Sequence, residues 1–391
     1  MKDNKEIKYF DYTATTPVDD DVLNTYINTT KKFFANTTSL HLLGEESKHM
    51  YDKCINTIKD VIGVKKHNLV FTSNATEANN LAIQGIAYKY EKGKIITTKE
   101  EHPSVYNTIK NLSDKYEVVY LDIKEDGRVD IEELKKELNS DTILVSIMWV
   151  NNILGTINDI KSIIKEVKKY PKCHLHVDCV QGFCKVIPDF DFNDVDLFTF
   201  STHKLYGPKG IGGLFFKETI DLNKRLFGSN AQYSVKPGTL DVSLIAASAK
   251  CFMKFYPKTE EMKWIVKAKF DYLYDKLKNL NGVVMNTPKE NISYYIINIS
   301  IPPIKGETMV HMLEAKHIYV STGSSCSSKL ENIEKTIYAQ TNDKERALSS
   351  IRISLSYLVL DSELDDLINE IKNIINRWLY VRWNNVWYDT C

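Results

Sequence analysis

The sequence predicts an α/β protein with a mainly parallel central sheet and a second, smaller α+β domain. Short β-branched runs alternate with amphipathic helical patterns early in the chain, which is typical of a parallel sheet covered by helices. After about residue 245 this alternation gives way to long helices and few strands. The chain has 391 residues, more than one core usually organises. We expect a large domain over 15–257 and a small domain formed by 1–14 and 258–391.

The elements of the large domain follow from β-branched runs for strands and from apolar positions at helical spacing for helices. The predicted strands are 68–72, 94–98, 118–123, 142–150, 174–178, 197–201 and 212–216. The predicted helices are 75–90, 130–138 and 160–169. In such sheets, ligands bind at the carboxyl ends of the strands, so polar residues there are candidates for a site.

The small domain is predicted from a long helical pattern followed by isolated strands. A strand over 294–301 stops at a Pro-Pro pair, and a Gly/Ser-rich loop follows the next helix. In order, the predicted elements are helix 258–280, strand 294–301, helix 307–315, loop 321–328, strand 350–355 and helix 363–378.

Composition argues against several classes of protein. Lys+Arg and Asp+Glu are both 51, so the zero net charge does not favour nucleic acid or an anionic membrane as a partner. No secretory signal is visible, and no apolar run approaches the ~18 residues that span a bilayer. The seven cysteines are odd in number and form no CxxC pair, so we expect neither a disulfide framework nor a metal site. A reducing, cytoplasmic location follows as an expectation.

One lysine stands at the end of a predicted strand, just before a Gly/Pro-rich loop. The run 198–210 reads FTFSTHKLYGPKG and places Lys204 there. A lysine so anchored can form an imine with an aldehyde cofactor, and Ser201, Thr202 and His203 beside it can donate hydrogen bonds to a phosphate. Pyridoxal phosphate fits this combination. The alternative is a surface lysine in a turn.

A second candidate phosphate site lies where strand 68–72 passes into the next helix. Ala75 and Thr76 open that helix, and the free backbone N–H groups of a helix N-terminus bind anions. The alternative is ordinary helix capping by the polar residues of this turn.

Two further strand ends carry residues suited to a pyridine ring. His102 follows strand 94–98, and a planar imidazole there can stack on a ring and move protons. Asp178 ends strand 174–178 and can keep a pyridine nitrogen protonated, while Gln181 can reach a phenolic oxygen. A buried aspartate without a cationic partner is costly, so a pyridinium explains its position. For His102 alone, the alternative is a structural role as a loop histidine that precedes a proline.

Together these motifs resemble the class V aminotransferase family, and within it the cysteine desulfurases, over nearly the whole chain. The run 11–18 (DYTATTPV) resembles the family's amino-terminal motif, and residues 36–44 resemble its Asn-Pro-Ser-Ser-x-His-x-x-Gly stretch with Thr37 in place of proline. Residues 150–152 match its Val-Asn-Asn segment, and 201–204 match Ser-Gly-His-Lys with one change.

The resemblance implies a fold, a cofactor and a role for each matching residue. It implies the type I fold of pyridoxal-phosphate enzymes, with an active homodimer that converts L-cysteine to L-alanine. Lys204 would hold the cofactor and act as acid and base, Asp178 would pair with the ring nitrogen, and His102 would stack on the ring. The other implied cofactor contacts are Gln181 at the phenolic oxygen, Thr76, Ser201 and His203 at the phosphate, Asn152 near the ring and substrate carboxylate, and Thr239 reaching the phosphate in the partner subunit.

Two residues of the small domain complete the expected chemistry. Cys326 lies in the run 321–328 (STGSSCSS), where small polar neighbours predict an exposed, mobile thiol. The run resembles the family's long mobile loop, which implies that Cys326 accepts the sulfur as a persulfide and passes it to an acceptor protein. Arg352 lies on a strand, and its fork suits a substrate carboxylate, with a structural salt bridge as the alternative. The sulfur would serve iron–sulfur clusters, thio-cofactors or tRNA thiolation.

Three departures from the family pattern keep other functions open. Ile153 stands where the family has an acid, Thr202 replaces a glycine, and Lys236 replaces an arginine. The alternatives are a selenocysteine lyase, an aminotransferase, or a catalytically weak sulfur-relay or scaffold paralogue. Cys326 favours the desulfurase because transamination needs no thiol.

Overall fold

The computed structural model describes residues 7–323 and 333–388, with side chains described as far as residue 378. The strands are β1 Lys8–Tyr9, β2 His67–Thr72, β3 Lys94–Thr98, β4 Glu117–Leu121, β5 Thr142–Met148, β6 His174–Asp178, β7 Leu197–Ser201, β8 Gly212–Lys217, β9 Val284–Met285, β10 Ile296–Ser300, β11 Ile318–Tyr319 and β12 Ser350–Ser354. The helices are α1 Asp20–Lys32, α2 Leu42–Ile62, α3 Ala75–Ala87, α4 Pro103–Lys110, α5 Ile131–Glu137, α6 Ile160–Val167, α7 Val242–Phe255, α8 Thr259–Lys278, α9 Gly306–Glu314, α10 Lys335–Thr341, α11 Lys344–Leu348 and α12 Asp361–Tyr388.

A seven-stranded sheet forms the centre of the fold, in the order β2-β8-β7-β6-β5-β3-β4. The pairs among β7, β6, β5, β3 and β4 are parallel, while β8 runs antiparallel to both β2 and β7. The mainly parallel α/β fold predicted from the sequence is confirmed. The parallel arrangement brings the ends of β3, β5, β6 and β7 to one edge of the sheet.

The sheet is buried on both faces because its strands are apolar at successive positions. Val70 and Phe71 are neighbours on β2, yet they pack into different cores on opposite sides of the sheet. One core includes residues of α2, α6 and α7, and the other includes residues of α3 and α4. Within the first core, the ring of Phe215 contacts the rings of both Phe198 and Phe200.

A third core lies around a three-stranded antiparallel sheet in the order β12-β10-β9. It is built mainly from α8, β10, α9, β12 and α12, and it includes Phe10 from the amino-terminal segment. The short parallel pair of β1 and β11 ties that segment to this part of the chain. The domain boundaries given above remain a prediction.

Several helices were not predicted from the sequence. Helix α1 contains the run TYINTT, whose β-branched residues weaken the helical signal, but Asp19 caps it by accepting from the Asp21 amide. Helix α7 was also not predicted: it begins after Asp241, whose side chain accepts from the amides of Ser243 and Leu244, and most of its residues are buried. Across 7–323 and 333–388, no helix is both long enough and apolar enough to cross a bilayer.

Candidate active site

A cavity of about 450 Å³ opens at the carboxyl ends of β3, β5, β6 and β7. Ten of the residues predicted to form the site line it together, although they come from six separate stretches of the chain. They are Ala75, Thr76, His102, Asn152, Asp178, Gln181, Ser201, His203, Lys204 and Arg352.

Lys204 follows β7 directly and reaches back to the amino-terminal motif. Its Nζ donates to the carbonyl oxygens of Thr13 at 2.7 Å and Ala14 at 2.5 Å. Burial, with repulsion from the Arg352 guanidinium, lowers the pKa of Lys204 to about 8. A large share of this amine is therefore neutral slightly above neutral pH, as a nucleophile or proton acceptor requires.

The phosphate-binding candidates surround the first turn of α3. Asn74 caps this helix by accepting from the Glu77 amide at 2.9 Å, so the amides of Ala75 and Thr76 stay available to a ligand. Gly212 of β8 permits the close approach: a Cβ there would lie 2.8 Å from the Asn74 carbonyl carbon. The hydroxyl of Ser201 is buried and has no hydrogen-bond partner. A bound anion would give that hydroxyl an acceptor.

His203 lies between this cradle and the amino-terminal motif. Its Nδ1 is 3.2 Å from the hydroxyl of Thr15. Burial, together with the positive charges of Lys204, Lys185 and Lys209, lowers the pKa of His203 to about 4. The ring is therefore neutral at physiological pH, where it can donate one hydrogen bond to a phosphate and accept another.

Asp178 ends β6 and is held by two donors. Its Oδ1 accepts from the Val180 amide at 3.0 Å, and its Oδ2 accepts from the side chain of Asn79 at 2.8 Å. The carboxylate is buried, and among the described residues it forms no ion pair with a Lys or Arg side chain. A pyridinium nitrogen would supply the missing positive charge.

Asn79 is a site residue that sequence analysis missed. It is fully buried on α3, and its Nδ2 also donates to the hydroxyl of Ser104 at 2.9 Å. Its Oδ1 accepts from the Thr199 hydroxyl at 2.6 Å. Its one signal in the sequence is that it lies one helical turn after Ala75, on the same face of α3.

His102 caps α4 and joins this network from the other side. Its Nδ1 accepts from the Ser104 amide at 3.1 Å and lies 2.8 Å from the Ser104 hydroxyl. These contacts favour the tautomer with the proton on Nε2. The ring faces the cavity on one side, but enough protein surrounds it that desolvation lowers its pKa.

Gln181 lies in the turn after β6. Its Nε2 donates to the Thr13 carbonyl at 3.1 Å, and its Oε1 accepts from the side chain of Lys185 at 2.8 Å. The Thr13 carbonyl thus accepts from both Gln181 and Lys204, which ties the amino-terminal motif to the cavity.

Arg352 lies on β12 and reaches the cavity from the smaller sheet. It forms a salt bridge with Asp11 at 3.0 Å, and its Nη1 donates to the backbone oxygen of Asn152 at 3.0 Å. Asp11 was part of a sequence motif but had no predicted role. A guanidinium has five N–H donors, and these two contacts leave others for a substrate carboxylate.

Two predicted site residues are not among those lining the cavity. Thr239 is exposed and does not line it. Cys326 lies outside the described residues, but Gly323, three positions earlier, lines the cavity. Ile153, one of the departures from the family pattern, also lines it, and a Cβ at Gly323 would lie 2.9 Å from the Ile153 side chain. Lys236, another departure, forms a salt bridge with Glu77 at 3.4 Å.

The residues fit pyridoxal phosphate on three counts. A helix N-terminus and a buried, unpartnered Ser201 hydroxyl provide donors for a phosphate. The Asp178 carboxylate lacks a basic side-chain partner among the described residues, and Lys204 has a lowered pKa. These groups share one cavity of about 450 Å³.

Comparison with known proteins places the chain in a family. The family profile described as "Aminotransferase class-V" matches residues 8–367. A "NifS/IcsS protein homolog" of Lactobacillus delbrueckii subsp. bulgaricus is 37% identical over 369 residues, covering 92% of this chain and 95% of that protein. A "Cysteine desulfurase IscS" of Tolumonas auensis is 37% identical over 377 residues, covering 94% and 93% of the two chains.

Solved structures agree with these relatives. A "NIFS-LIKE PROTEIN" has a TM-score of 0.88 and 32% identity, and the match covers 95% of this chain and 100% of that one. A structure titled "SspA in complex with cysteine" has a TM-score of 0.78 and 28% identity, covering 90% and 100% of the chains.

The chain belongs to the class V aminotransferase family. Enzymes of this family depend on pyridoxal phosphate, and the cofactor expected from the sequence is confirmed. Within the family, the chain is an enzyme of the cysteine desulfurase kind.

Proposed function

We propose that this enzyme converts L-cysteine to L-alanine and transfers the sulfur atom to Cys326 as a persulfide. One observation carries the proposal. The cavity that joins Lys204, Asp178 and Arg352 is also lined by Gly323, from which the chain leads to Cys326. A nucleophilic thiol can therefore be supplied to the same cavity that would hold the amino acid.

The proposed reaction balances without a further reactant. The C–S bond of L-cysteine breaks and an S–S bond to Cys326 forms. The amino-acid carbon that loses sulfur gains a proton, and the transferred sulfur ends as a persulfide, so L-cysteine and enzyme thiol yield L-alanine and enzyme persulfide. No external oxidant or reductant is needed.

The cofactor would be held by residues that follow several strands around the cavity. The amides of Ala75 and Thr76, with the hydroxyls of Thr76 and Ser201, suit its phosphate. In addition, His203 would contribute to the phosphate, Asp178 to the pyridine nitrogen, Gln181 to the phenolic oxygen, His102 to the ring face and Lys204 to the covalent attachment. When bound, the cofactor supplies an electron sink for an attached amino acid.

The substrate would be oriented by Arg352 and Asn152. The guanidinium offers a planar fork to the α-carboxylate, and its contact with the Asn152 backbone keeps these two residues together. Lys204, with its pKa lowered to about 8, would accept and return protons between the carbons of the amino acid.

Cys326 is favoured over the other thiols because each cysteine within the described ranges is buried. These are Cys54, Cys173, Cys179, Cys184 and Cys251. Burial raises the pKa of each of them, which lowers the population of reactive thiolate. None of the five lines the cavity.

The remaining parts of the proposal concern assembly and destination. We propose a homodimer in which the exposed Thr239 reaches the phosphate bound by the partner subunit. We also propose the two-domain division at 15–257, a cytoplasmic location and transfer of sulfur from Cys326 to an acceptor protein. Light scattering with activity assays tests the dimer, since a fully active monomer would refute it.

The experiment that tests the proposed reaction measures both products. Purified holoenzyme given L-cysteine and a reducing thiol should release alanine and sulfide in equal amounts. Cys326→Ser is the variant that should lose both products while it retains the cofactor. Cys251→Ser, at a buried thiol outside the cavity, is the matched control and should stay active. Alanine production by Cys326→Ser at the wild-type rate would refute the proposal.

A further inference from the structure

Lys185 is a buried lysine to which the proposed reaction gives no task. It lies in the turn after β6, and only 7% of its surface is exposed. Among the described residues, no carboxylate lies within ion-pair distance of it. Burying an ammonium group without an anionic partner is costly. Such a group therefore calls for an explanation other than stability.

Lys185 donates a hydrogen bond to Gln181, a residue proposed to bind the cofactor. Its Nζ donates to Oε1 of Gln181 at 2.8 Å. The ring of Tyr295 lies 6.0 Å from the same nitrogen, measured to the ring centroid. Burial and the nearby charges of Lys204 and Arg352 lower the pKa of Lys185 and favour its neutral amine. Keeping a lysine at this position therefore costs the folded protein electrostatic free energy.

The contact decides which end of the Gln181 amide faces which neighbour. The oxygen and nitrogen ends of a glutamine are almost equal in shape, so hydrogen-bond partners determine the orientation. The Lys185 amine donates to the oxygen end of the amide, and in its ammonium form it can only donate. The Thr13 carbonyl, which can only accept, contacts the nitrogen end at 3.1 Å.

We propose that Lys185 is a positioning residue that fixes Gln181 with its N–H groups available to the phenolic oxygen of the cofactor. The proposal rests on the cofactor role proposed for Gln181. If Lys185 were replaced by an apolar residue, a flipped Gln181 amide would no longer forfeit the hydrogen bond to Lys185. The flip would therefore cost less free energy, and the amide oxygen of the flipped form would repel the phenolic oxygen of the cofactor. Cofactor binding should weaken through Gln181, although Lys185 itself does not line the cavity.

A double-mutant cycle on cofactor affinity tests this mechanism. The whole protein is stripped of cofactor and titrated with pyridoxal phosphate, and binding is followed by tryptophan fluorescence and by the visible absorbance band. Lys185→Met, which keeps the aliphatic stem, should weaken binding by up to about tenfold, the upper end of what the loss of one hydrogen bond costs. Lys185→Arg, which keeps a charged donor, should restore most of the affinity.

The decisive comparison is between Gln181→Leu and the double variant Lys185→Met/Gln181→Leu. Once the amide is gone, Lys185 has nothing left to orient, so the double variant should bind as the Gln181→Leu variant does. A merely structural role would instead give additive losses, and that result would overturn the proposal. Lys278→Met, at an exposed lysine at the end of α8, controls for loss of one positive charge and should bind normally.

Two other outcomes keep the test decisive. Wild-type affinity in Lys185→Met overturns the proposal. If that variant does not fold, Lys185→Gln, whose amide donates without a charge, enters the same cycle. The titration contains no L-cysteine, so a failure of the proposed desulfurase reaction would leave its result readable.

Discussion

Glu100 gives a prediction whose size follows from the structure. Only 5% of its surface is exposed, it follows β3 at the edge of the cavity, and both carboxylate oxygens lack a hydrogen-bond partner. Burial raises the pKa of Glu100 from 4.5 to about 7. Because the folded state holds this proton more tightly than the unfolded state, stability is lost as the pH rises from 4.5 through about 7.

The magnitude comes from the same shift. At about 1.4 kcal/mol per pH unit, the charged form costs the folded protein on the order of 3 kcal/mol at pH 8. Glu100→Gln removes the charge and keeps the shape, so it should stabilise the protein at pH 8 by about 1–3 kcal/mol. At pH 5 the wild-type carboxyl is largely protonated, and the same substitution should have little effect.

Thermal unfolding of the holoenzyme at the two pH values provides the assay. For a domain of 150–250 residues, about 1 kcal/mol shifts the midpoint by about 2–4 °C, so a rise of several degrees is expected at pH 8. Glu91→Gln, at an exposed glutamate, is the matched control and should show no pH-dependent gain. An equal effect at both pH values, or a lower midpoint at pH 8, would refute the reasoning.

Three further predictions concern the cavity. Lys204→Ala should abolish the visible absorbance band of the lysine-bound cofactor, and an unchanged spectrum would exclude Lys204 as the attachment site. Arg352→Ala should raise the KM for L-cysteine about tenfold or more at normal cofactor content, since a charged hydrogen-bond pair contributes about 1.5–3 kcal/mol; an unchanged KM would reject the carboxylate role. Asn79→Leu leaves Asp178 without its side-chain donor and should weaken cofactor binding by about tenfold, measured by titration of the stripped protein. Asn80→Leu is the control: the side chain of Asn80 donates to the Thr76 carbonyl within α3 and does not contact Asp178, so this variant should bind the cofactor normally.

The parts of the fold that depend on local sequence could be predicted. Strands β3, β6 and β7 have the predicted bounds because each is a short run bounded by turns: β3 is β-branched, β6 alternates, and β7 is rich in aromatic residues. The candidate site residues lie at or shortly after the ends of these strands. A correctly predicted strand end therefore also predicts that the residue lies at the edge of the sheet. Helix α7 was not predicted, although Asp241 caps its start and most of its residues are buried.

The contacts that orient the site residues could not be predicted, because they join distant parts of the chain. Asn79 meets Asp178 across 99 positions, and Arg352 meets Asp11 across 341. No local period or motif encodes such a pair before the fold exists. For Arg352 the sequence leaves a salt bridge and substrate binding as alternatives, and the structure shows the salt bridge with Asp11 on a side chain that also lines the cavity.

Mass spectrometry of the holoenzyme after brief exposure to L-cysteine tests the central proposal most directly. The peptide that contains Cys326 should gain the mass of one sulfur atom, and treatment with a reducing thiol should remove it. Cys326→Ser should bind L-cysteine, as judged by a change in the cofactor spectrum, yet carry no added sulfur. Added sulfur on Cys179, Cys184 or Cys391 in a Cys326→Ser variant that still produces alanine would contradict the proposed mechanism.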